Sequence, residues 1–466
     1  MYFAQHYLDC LSQASYLIGD ERSGRAVVVD PRRDIEVYLA DAAEHGLRIE
    51  GVVMTHFHAD FLAGHLELAG ATGAWIGYGP SARTEYPIRH LADGERVDLG
   101  LPGGVVLQIM HTPGHTPEAI SVLVYEHGGD EVPYGVLTGD ALFIGDVGRP
   151  DLLASVGVSA EELGAMLHDS VQHKLMGLPD AVRVFPAHGA GSACGKNLST
   201  ATRSTVGEQR STNPACLPMP PEQFVRMVTQ GQPAPPAYFG YDARRNKENR
   251  ATYHHDDVPA LAYPQVRDAV ARGSVVLDTR DADEFTAGHL RGSLSVPLDG
   301  RFAETSGIVL TPQDSVVIVA APGRETEAAT RLARIGFDNV AGYLPLVEAV
   351  LTRLDPAQIG HASRLTPAGL DAVLTRRSDV VLIDVRNPVE VADGMIPGAR
   401  HIPLAQLPGR AAQIPADRPV VLTCAGGWRS SVAAGYLRAH GFTDVSDLIG
   451  GYDAWLARRR ALATPA

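Results

Sequence analysis

A set of histidine and aspartate side chains is the part of this sequence best suited to chemistry. Each comes at or just after the end of a short apolar run, where a β-strand would end, and together they are His56, His58, Asp60, His115, Asp140 and His188. Imidazole and carboxylate groups are common ligands of transition metals. Strand ends are rigid mounts for a coordination shell. Two histidines one residue apart are a weak signal alone, so the recurrence at several strand ends is what predicts a metal centre.

The elements that must position these residues alternate between strands and helices. Residues 14–19 and 26–30 have the pattern of strands, and residues 34–46 have a helical pattern that ends in glycine. The apolar run at 51–54 leads into the first histidines, and residues 61–69 have the apolar stripe of a helix. This alternation predicts an α/β sandwich, with helices outside two sheets.

The composition of the whole chain is that of an ordinary globular protein. The chain has 466 residues, of which 45% are hydrophobic and 20% charged, and its formal net charge is -14. A chain of this length exceeds a single hydrophobic core, so several domains are expected. The acidic balance argues against binding to nucleic acid, and no apolar run approaches the ~20 residues that span a bilayer. The expected partners are therefore small molecules.

The N-terminus and the cysteine usage both indicate a reducing compartment. The first residues lack the basic and then apolar layout of a secretion signal, which predicts a cytoplasmic protein. The cysteines are too few and too scattered for a disulfide framework. They are expected to be free thiols, and they are Cys10, Cys194, Cys216 and Cys424.

Four motifs occur in an order that resembles the metallo-β-lactamase superfamily. In chain order they are HxHxD, TPGHT, TGD and PAHG. The resemblance implies an αββα sandwich over residues 1–250. Hydrolases of this superfamily usually hold two zinc ions through the motif HxHxDH, whereas Phe61 follows Asp60 in this sequence. Because a phenyl ring cannot bind a metal, this departure removes a ligand of the second ion and favours a single metal.

Within that superfamily, the sequence resembles the persulfide dioxygenases. The resemblance implies one Fe(II) per chain, held by His56, His115 and Asp140, on a face that leaves adjacent coordination positions open. It implies that the substrate is a persulfide of glutathione or coenzyme A, which O2 oxidises to sulfite. The other candidate residues would orient ligands or substrate, and they are His58, Asp60, His188, Arg149 and Cys194.

Two of these residues have alternatives that the sequence leaves open. Arg149 could reach a substrate carboxylate, or it could form a structural ion pair. Cys194 follows the PAHG motif and resembles a second cysteine of the same family near the metal, yet the sequence favours a packing role for it.

The C-terminal part of the chain contains an internal repeat. Residues 275–280 (VVLDTR) recur as residues 380–386 (VVLIDVR), and later glycines and prolines return at matching offsets. Each copy alternates strand and helix over a length typical of a doubly wound α/β domain. The order of motifs resembles the rhodanese family twice, over residues 260–355 and 362–462. The charged, aperiodic residues 241–259 are predicted to be a linker.

The second copy carries a cysteine loop between a strand and a helix that is predicted to start near Ser431. Backbone N–H groups in such a loop, at a helix N-terminus, stabilise a thiolate. Cys424 is therefore the candidate sulfur-carrying nucleophile. Four residues separate it from Arg429, and the resemblance associates this short spacing with sulfur transfer. The residues predicted to surround the sulfur are Ala425, Gly426, Gly427, Trp428 and Ser430.

The first copy departs from this pattern. Ala320 stands opposite Cys424, so the first copy resembles an inactive rhodanese-like domain. A minor departure occurs in the second copy, where Met395 replaces the histidine that rhodaneses often have in their GHIPGA turn.

Together the resemblances imply an enzyme with two activities in sulfide detoxification. The first domain would produce sulfite, and a persulfide on Cys424 would convert sulfite to thiosulfate. A homo-oligomer, either a dimer or a tetramer, is expected. Two alternatives remain open: a dinuclear zinc thioester hydrolase of the glyoxalase II type fused to a sulfurtransferase, and a sulfur carrier or sensor without enzymatic activity.

Overall fold

Strands and helices alternate along the chain in the computed structural model, which describes residues 1–100, 102–152, 157–232, 234–254 and 258–463. The chain forms two units. The first comprises Met1–Tyr253 with Ala333–Gly336, and the second comprises His254–Leu332 with Phe337–Ala466. No helix among these described residues combines the length and the apolar character needed to cross a bilayer.

The first sheet of the first unit begins as an antiparallel meander and continues with parallel strands. Its strands occur in chain order, and they are β1 (Tyr2–Leu8), β2 (Gln13–Asp20), β3 (Arg25–Val29), β4 (Arg48–Val53), β5 (Trp75–Tyr78) and β6 (Arg89–His90). The predicted strands at 14–19 and 26–30 correspond to β2 and β3, so these predictions are confirmed.

The second sheet has the order β12-β11-β10-β9-β8-β7, and only β10 and β11 pair in parallel. The strands are β7 (Arg96–Asp98), β8 (Val106–His111), β9 (Ile120–Tyr125), β10 (Gly135–Gly139), β11 (Arg183–Pro186) and β12 (Ser204–Thr205). Apolar side chains from both sheets form one buried cluster, which includes Tyr16, Val27, Leu107 and Val122. The two sheets therefore pack face to face.

Helices cover the outer faces of the two sheets. The α-helices described in this unit are α1 (Glu36–Glu44), α2 (His65–Thr72), α3 (Ala160–Asp169), α4 (Val206–Thr212), α5 (Pro221–Thr229) and α6 (Phe239–Arg245). Helices α1 and α2 contact β4. Leu167 of α3 and Phe224 of α5 share a second buried cluster with Val136 and Val184 of the second sheet. This arrangement confirms the predicted αββα sandwich.

Two predictions about local structure in the first unit are wrong. The helix predicted over 61–69 begins at His65, because residues 61–63 are buried in the loop that precedes it. The segment 241–259, predicted to be a linker, instead begins within α6. After the helix, Asn246 and Arg250 are both buried, so this part of the segment packs against the first unit. Residues 255–257 of that segment lie outside the described part of the chain.

The second unit contains two parallel sheets with the same strand order. In the first repeat the order is β15-β13-β16-β17, and in the second it is β21-β20-β22-β23, with β19 added beside β23. The strands are β13 (Val275–Asp278), β14 (His289–Leu290), β15 (Leu294–Ser295), β16 (Val316–Val319), β17 (Val340–Tyr343), β18 (Ile359–Gly360), β19 (Ser363–Leu365), β20 (Val381–Asp384), β21 (Arg400–His401), β22 (Val420–Thr423) and β23 (Val445–Leu448). The matching order confirms the internal repeat and the doubly wound α/β fold of both copies.

Each repeat also conserves one buried ion pair at the end of its first core strand. Asp278 pairs with Arg280 at 2.6 Å, and Asp384 pairs with Arg386 at 2.7 Å. The helices of this unit are α7 (Tyr263–Ala271), α8 (Ala282–Ala287), α9 (Phe302–Val309), α10 (Glu325–Ala333), α11 (Val347–Leu351), α12 (Pro367–Arg376), α13 (Pro388–Val391), α14 (Leu407–Arg410), α15 (Trp428–Ala439) and α16 (Gly451–Ala463).

A buried ion triad fixes α2 against the chain that follows α6. Glu67 of α2 accepts hydrogen bonds from Arg33 at 2.9 Å and from Arg250 at 2.6 Å. All three side chains are buried. Burial alone would raise the pKa of Glu67, but Arg250 and Arg33 lower it from 4.5 to about 2.

We expect Glu67→Gln to lower the free energy of unfolding of the first unit by about 3–5 kcal/mol, because it leaves two buried guanidinium groups without their shared carboxylate. Urea denaturation of the wild-type protein and the variant, monitored by hydrogen exchange in peptides from the first sheet, measures this change. The matched control is Glu50→Gln, which removes more exposed ion pairs with Arg25 and Arg48 and should cost less than about 1 kcal/mol.

The pH dependence of the same stability tests the ion triad independently. Because the pKa of Glu67 is lower in the folded state, its contribution is present above pH 4.5 and is lost as the pH falls towards 2. The Glu67→Gln variant should lack this part of the acid-induced loss of stability. Equal acid sensitivity in both proteins would contradict the assignment.

Candidate metal centre and cysteine loop

Three strand ends of the first unit bring three ligand side chains together. The loop after β4 carries His56, the turn after β8 carries His115, and β10 ends just before Asp140. Oδ2 of Asp140 lies 3.9 Å from Nε2 of His56 and 3.5 Å from Nε2 of His115. All three side chains are buried, and their ligand atoms lie within 4.8 Å of one another. The structure thus assembles the three residues that were predicted as metal ligands.

The spacing and the chemistry of these three side chains fit a metal ion. Two ligands at ~2.0–2.1 Å from a tetrahedral ion lie about 3.4 Å apart, which is close to the distances around Asp140. Within the described part of the chain, the buried Oδ2 of Asp140 has no hydrogen-bond partner. Leaving a buried carboxylate oxygen unpaired is costly. A cation bound between the three side chains satisfies this oxygen.

Hydrogen bonds on the far side of each ring fix which nitrogen faces the centre. The hydroxyl of Thr55 donates to Asp30 at 2.7 Å, so it accepts from Nδ1 of His56 at 2.9 Å. Nδ1 of His115 donates to the carbonyl oxygen of Arg149 at 2.8 Å. Each Nε2 therefore presents a lone pair to the centre, which is the arrangement of metal-binding histidines.

Burial and nearby charges hold the ligands in the protonation states that bind metal. Burial, together with the neighbouring His58, holds the pKa of His56 well below its ordinary value. Burial alone would raise the pKa of Asp140, but His188 and His56 hold it far below the ordinary range. The centre therefore presents a neutral imidazole and an ionised carboxylate.

The segment that carries Arg149 approaches the centre closely because it contains a glycine. A Cβ on Gly148 would lie 2.1 Å from the carbonyl oxygen of Asp140 and 3.0 Å from Nδ1 of His115. Arg149 itself is buried, and its guanidinium donates two hydrogen bonds of 2.7 Å to Asp151. The structure thus places Arg149 in the structural ion pair that the sequence left as an alternative.

A second group of ligand-type side chains lies beside the first. Asp60, His188 and Cys194 are buried, and their ligand atoms also lie within 4.8 Å of one another. Nδ1 of His188 lies 2.8 Å from Oδ1 of Asp140, which links the two groups. Burial lowers the pKa of His188, but Asp140 and Asp60 raise it well above the ordinary value. Burial and the same two carboxylates raise the pKa of the Cys194 thiol well above its ordinary value.

His58 lies in neither group of ligands. Its Nε2 is 3.0 Å from Oδ1 of Asp30, and its ring packs against the ring of Phe61 with centroids 4.4 Å apart. Phe61 is completely buried. Phe61, at the position where the HxHxDH motif has a histidine, therefore serves as packing beside the centre.

Sequence reasoning missed two residues that support the loop after β4, named here the metal loop, which carries His56. Asp30 receives hydrogen bonds from the backbone and the hydroxyl of Thr55, both at 2.7 Å. The side chain of Asn246 donates to the carbonyl oxygens of His58 and Phe61 at 2.9 and 3.0 Å. Asp30 follows a strand and so carried the same signal as Asp140. Asn246 lies in a segment without a pattern, and no sequence signal identified it.

The cysteine loop lies in the second unit, where β22 ends at the N-terminus of α15. The buried Sγ of Cys424 accepts hydrogen bonds from the backbone N–H groups of Gly427 at 3.1 Å and Ser430 at 3.4 Å. Gly427 has a φ of 94°, which favours glycine. The helix begins at Trp428, so the predicted start near Ser431 was too late by three residues. The N–H groups that converge on Sγ suit an anionic sulfur.

Arg429 reaches a carboxylate at the edge of the same loop. Its guanidinium donates two hydrogen bonds of 2.6 Å to the two oxygens of Glu390 in α13. Burial would lower the pKa of Arg429, but Glu390 raises it above the ordinary value. A bidentate pair of this kind fixes the orientation of the guanidinium.

The corresponding loop of the first repeat has a different construction. Ala320 occupies the position of Cys424, at the end of β16, and Arg324 pairs with Asp299 and Glu327. This loop therefore offers a methyl group where the second repeat offers a thiol.

Comparisons with known proteins agree with both parts of the structure. Residues 8–188 match the metallo-beta-lactamase superfamily, and residues 263–344 and 367–458 match the rhodanese-like domain. Over 220 residues the chain is 30% identical to the mitochondrial persulfide dioxygenase ETHE1 of Bos taurus, covering 46% of this chain and 75% of that protein.

Two further comparisons cover different shares of the chain. A sulfurtransferase of Allochromatium vinosum is 41% identical over 92 residues, which are 20% of this chain and 86% of that protein. The crystal structure of a metallo-beta-lactamase from Staphylococcus aureus subsp. aureus COL has a TM-score of 0.66 and 33% identity, and it covers 73% of this chain and 98% of that one. The chain therefore belongs to the metallo-beta-lactamase superfamily, as a relative of the persulfide dioxygenases that also carries two rhodanese-like domains related to sulfurtransferases.

Proposed function

We propose that the protein is a non-haem iron persulfide dioxygenase joined to a thiosulfate-forming sulfurtransferase. The observation that carries the proposal is the buried Oδ2 of Asp140, which lies between the Nε2 atoms of His56 and His115 and has no hydrogen-bond partner among the described residues. Two histidines and one carboxylate on one face are the ligand set associated with Fe(II) and O2 chemistry. The relationship to persulfide dioxygenases supports this choice of metal and substrate.

The first reaction consumes a low-molecular-weight persulfide, such as that of glutathione or coenzyme A. Its balance is RSSH + O2 + H2O giving RSH, sulfite and two protons. Iron bound by His56, His115 and Asp140 would supply the redox chemistry and hold both reactants close together. Thr55 and the carbonyl oxygen of Arg149 keep both imidazoles in the ligating tautomer.

The second reaction transfers a sulfur atom through Cys424. The thiolate attacks the outer sulfur of a persulfide donor, the S–S bond of the donor breaks, and the donor thiol leaves. Sulfite then attacks the outer sulfur of the Cys424 persulfide, which forms thiosulfate and restores the thiolate. The N–H groups of Gly427 and Ser430 stabilise the anionic sulfur, while the pair with Glu390 holds Arg429 at the loop.

The three parts of the chain have separate tasks in this proposal. Residues 1–250 carry the dioxygenase site, and residues 362–462 carry the sulfur-transfer site. Residues 260–355, with Ala320 in place of a nucleophile, have a structural task.

We expect Asp140→Ala to abolish both iron binding and persulfide-dependent O2 uptake, because it removes the anionic ligand from the centre. Metal analysis should give about one iron per chain for the wild-type protein and only background iron for the variant. O2 electrode traces with glutathione persulfide and coenzyme A persulfide measure the activity. The control is Asp130→Asn, which changes an aspartate between β9 and β10, away from the centre.

The same measurements decide between the proposal and the hydrolase alternative. Two zinc ions per chain, no O2 uptake and hydrolysis of a glutathione thioester would replace the dioxygenase with a glyoxalase II-type enzyme. Absence of turnover with every persulfide and thioester would favour a carrier or sensor.

We expect Cys424→Ser to reduce thiosulfate formation to background and to leave iron content and O2 uptake unchanged, since Cys424 lies in the other unit. Sulfite should then accumulate in place of thiosulfate, which ion chromatography detects. The control Cys216→Ser changes a buried cysteine in an apolar cluster and should keep both activities. Normal thiosulfate output from Cys424→Ser would disprove the assigned nucleophile.

A further inference from the structure

We propose that the first repeat of the second unit binds a small zwitterion, a molecule with an ammonium and a carboxylate group such as a short peptide. The site is a cavity of about 440 Å³, named here the repeat cavity. The proposed function gives this repeat a structural task. The inference adds a binding task, which does not depend on either proposed reaction.

The repeat cavity lies at the carboxyl ends of parallel strands, where the ligands of doubly wound domains commonly bind. The second repeat closes it with Arg364 of β19 and Trp428 of α15. Its volume is in the range of small-molecule sites. The first repeat contributes the chain that follows β13, β15 and β16, at residues 279–284, 297–299, 321 and 324.

Close packing between the two repeats builds the wall that contains Trp428. A Cβ on Gly435 of α15 would lie 3.1 Å from Cβ of Ser295 in β15. A Cβ on Gly300 would lie 3.8 Å from Nε1 of Trp428. Because both approaches use glycine, α15 reaches the first repeat more closely than larger side chains would allow. The two repeats therefore form the cavity together.

Two hydrogen-bonding groups of the lining lack a partner. The hydroxyl of Thr279 and Nε1 of Trp428 are buried atoms, and neither has a hydrogen-bond partner among the described residues. Thr279 is only 3% exposed. Leaving a buried donor unpaired is costly, and both residues line the repeat cavity. A carboxylate bound there supplies the acceptor oxygens that these groups lack.

The charged side chains of the lining favour an ammonium group on the same ligand. The guanidinium groups of Arg324 and Arg364 each pair with two carboxylates. Asp281 and Glu284 also line the cavity, and each accepts a hydrogen bond from the backbone N–H of the other. No ion pair among the described residues includes either of these two carboxylates. An ammonium group balances their charge, whereas a ligand with only negative groups is repelled.

The repeat cavity is distinct from the sulfur-transfer site, although the two share a loop. Gly426 and Gly427 of the cysteine loop line the cavity, while Cys424 is not among the described residues that do. The N–H of Gly427 donates to Sγ of Cys424 at 3.1 Å. A ligand in the repeat cavity therefore lies against the cysteine loop and not against its sulfur.

The test is calorimetric titration of the full-length protein with S-methylglutathione, a zwitterionic peptide whose blocked sulfur cannot enter either proposed reaction. We expect a binding event that Thr279→Val weakens about tenfold, because the variant loses one hydrogen bond to a charged group. The matched control Thr286→Val removes a hydroxyl that donates to the carbonyl oxygen of Ala282 within α8, and it should keep the wild-type affinity. Binding elsewhere in the protein would be unchanged in Thr279→Val, so an equal affinity overturns the inference.

A stability measurement separates lost binding from poor folding. Since the Thr279 hydroxyl has no partner in the ligand-free protein, Thr279→Val should keep or increase the protection from hydrogen exchange in peptides that span β13 and β16. S-methylglutathione should increase that protection in the wild-type protein and much less in the variant. Trp428→Phe, which keeps an aromatic ring and removes the N–H, should also weaken binding. Wild-type affinity in Trp428→Phe contradicts the assigned lining.

Two simpler compounds test the class of ligand. Glutarate carries only carboxylates and butane-1,4-diamine carries only ammonium groups, and each should bind at least about tenfold more weakly than S-methylglutathione. Equal binding of either compound overturns the assignment of a zwitterion, and absence of S-methylglutathione binding overturns the site. None of these compounds is oxidised or donates sulfur, so the results leave the dioxygenase and sulfurtransferase proposals to their own tests.

Discussion

The two oxygens of Asp140 are the point on which the first unit depends. Oδ2 faces the Nε2 atoms of His56 and His115, while Oδ1 contacts Nδ1 of His188. A buried carboxylate is unfavourable without hydrogen bonds or opposite charge. Three loops, which carry His56, His115 and His188, therefore converge on this one side chain, and the strand ends of both sheets bring them there.

The supporting hydrogen bonds explain why the loops around the centre have defined conformations. Asp30, at the end of β3, accepts from Thr55 and thereby orients His56. Asn246, which lies late in the sequence of this unit, donates hydrogen bonds to the carbonyl oxygens of His58 and Phe61 in the metal loop. Each such group limits the rotation of a ligand or of its loop, so the ligand geometry is set before a metal binds.

The sequence predicted what depends on local pattern and missed what depends on long-range packing. His56, His115 and Asp140 each follow an apolar run, so their strand-end positions were visible. The alternating strands and the internal repeat were visible for the same reason. Asn246 was not, because its role arises from contacts with residues almost two hundred positions earlier. The start of α2 at His65 has the same origin. Residues 61–63 share the helical pattern of residues 61–69, but they are buried in the metal loop and are not part of the helix.

In the proposed function, the two sites treat sulfur in opposite electrostatic ways. The centre in the first unit gathers imidazole lone pairs and a carboxylate, which would attract a cation and, in the proposed reaction, through it an anionic persulfide. The loop around Cys424 gathers N–H groups, which stabilise the anionic sulfur directly without a metal. In the proposed sequence of reactions, sulfite leaves the first site as an anion and reacts at the second. The proposed first reaction calls for a redox-active metal because O2 is reduced there, whereas N–H groups suffice where a sulfur atom only moves between two nucleophiles.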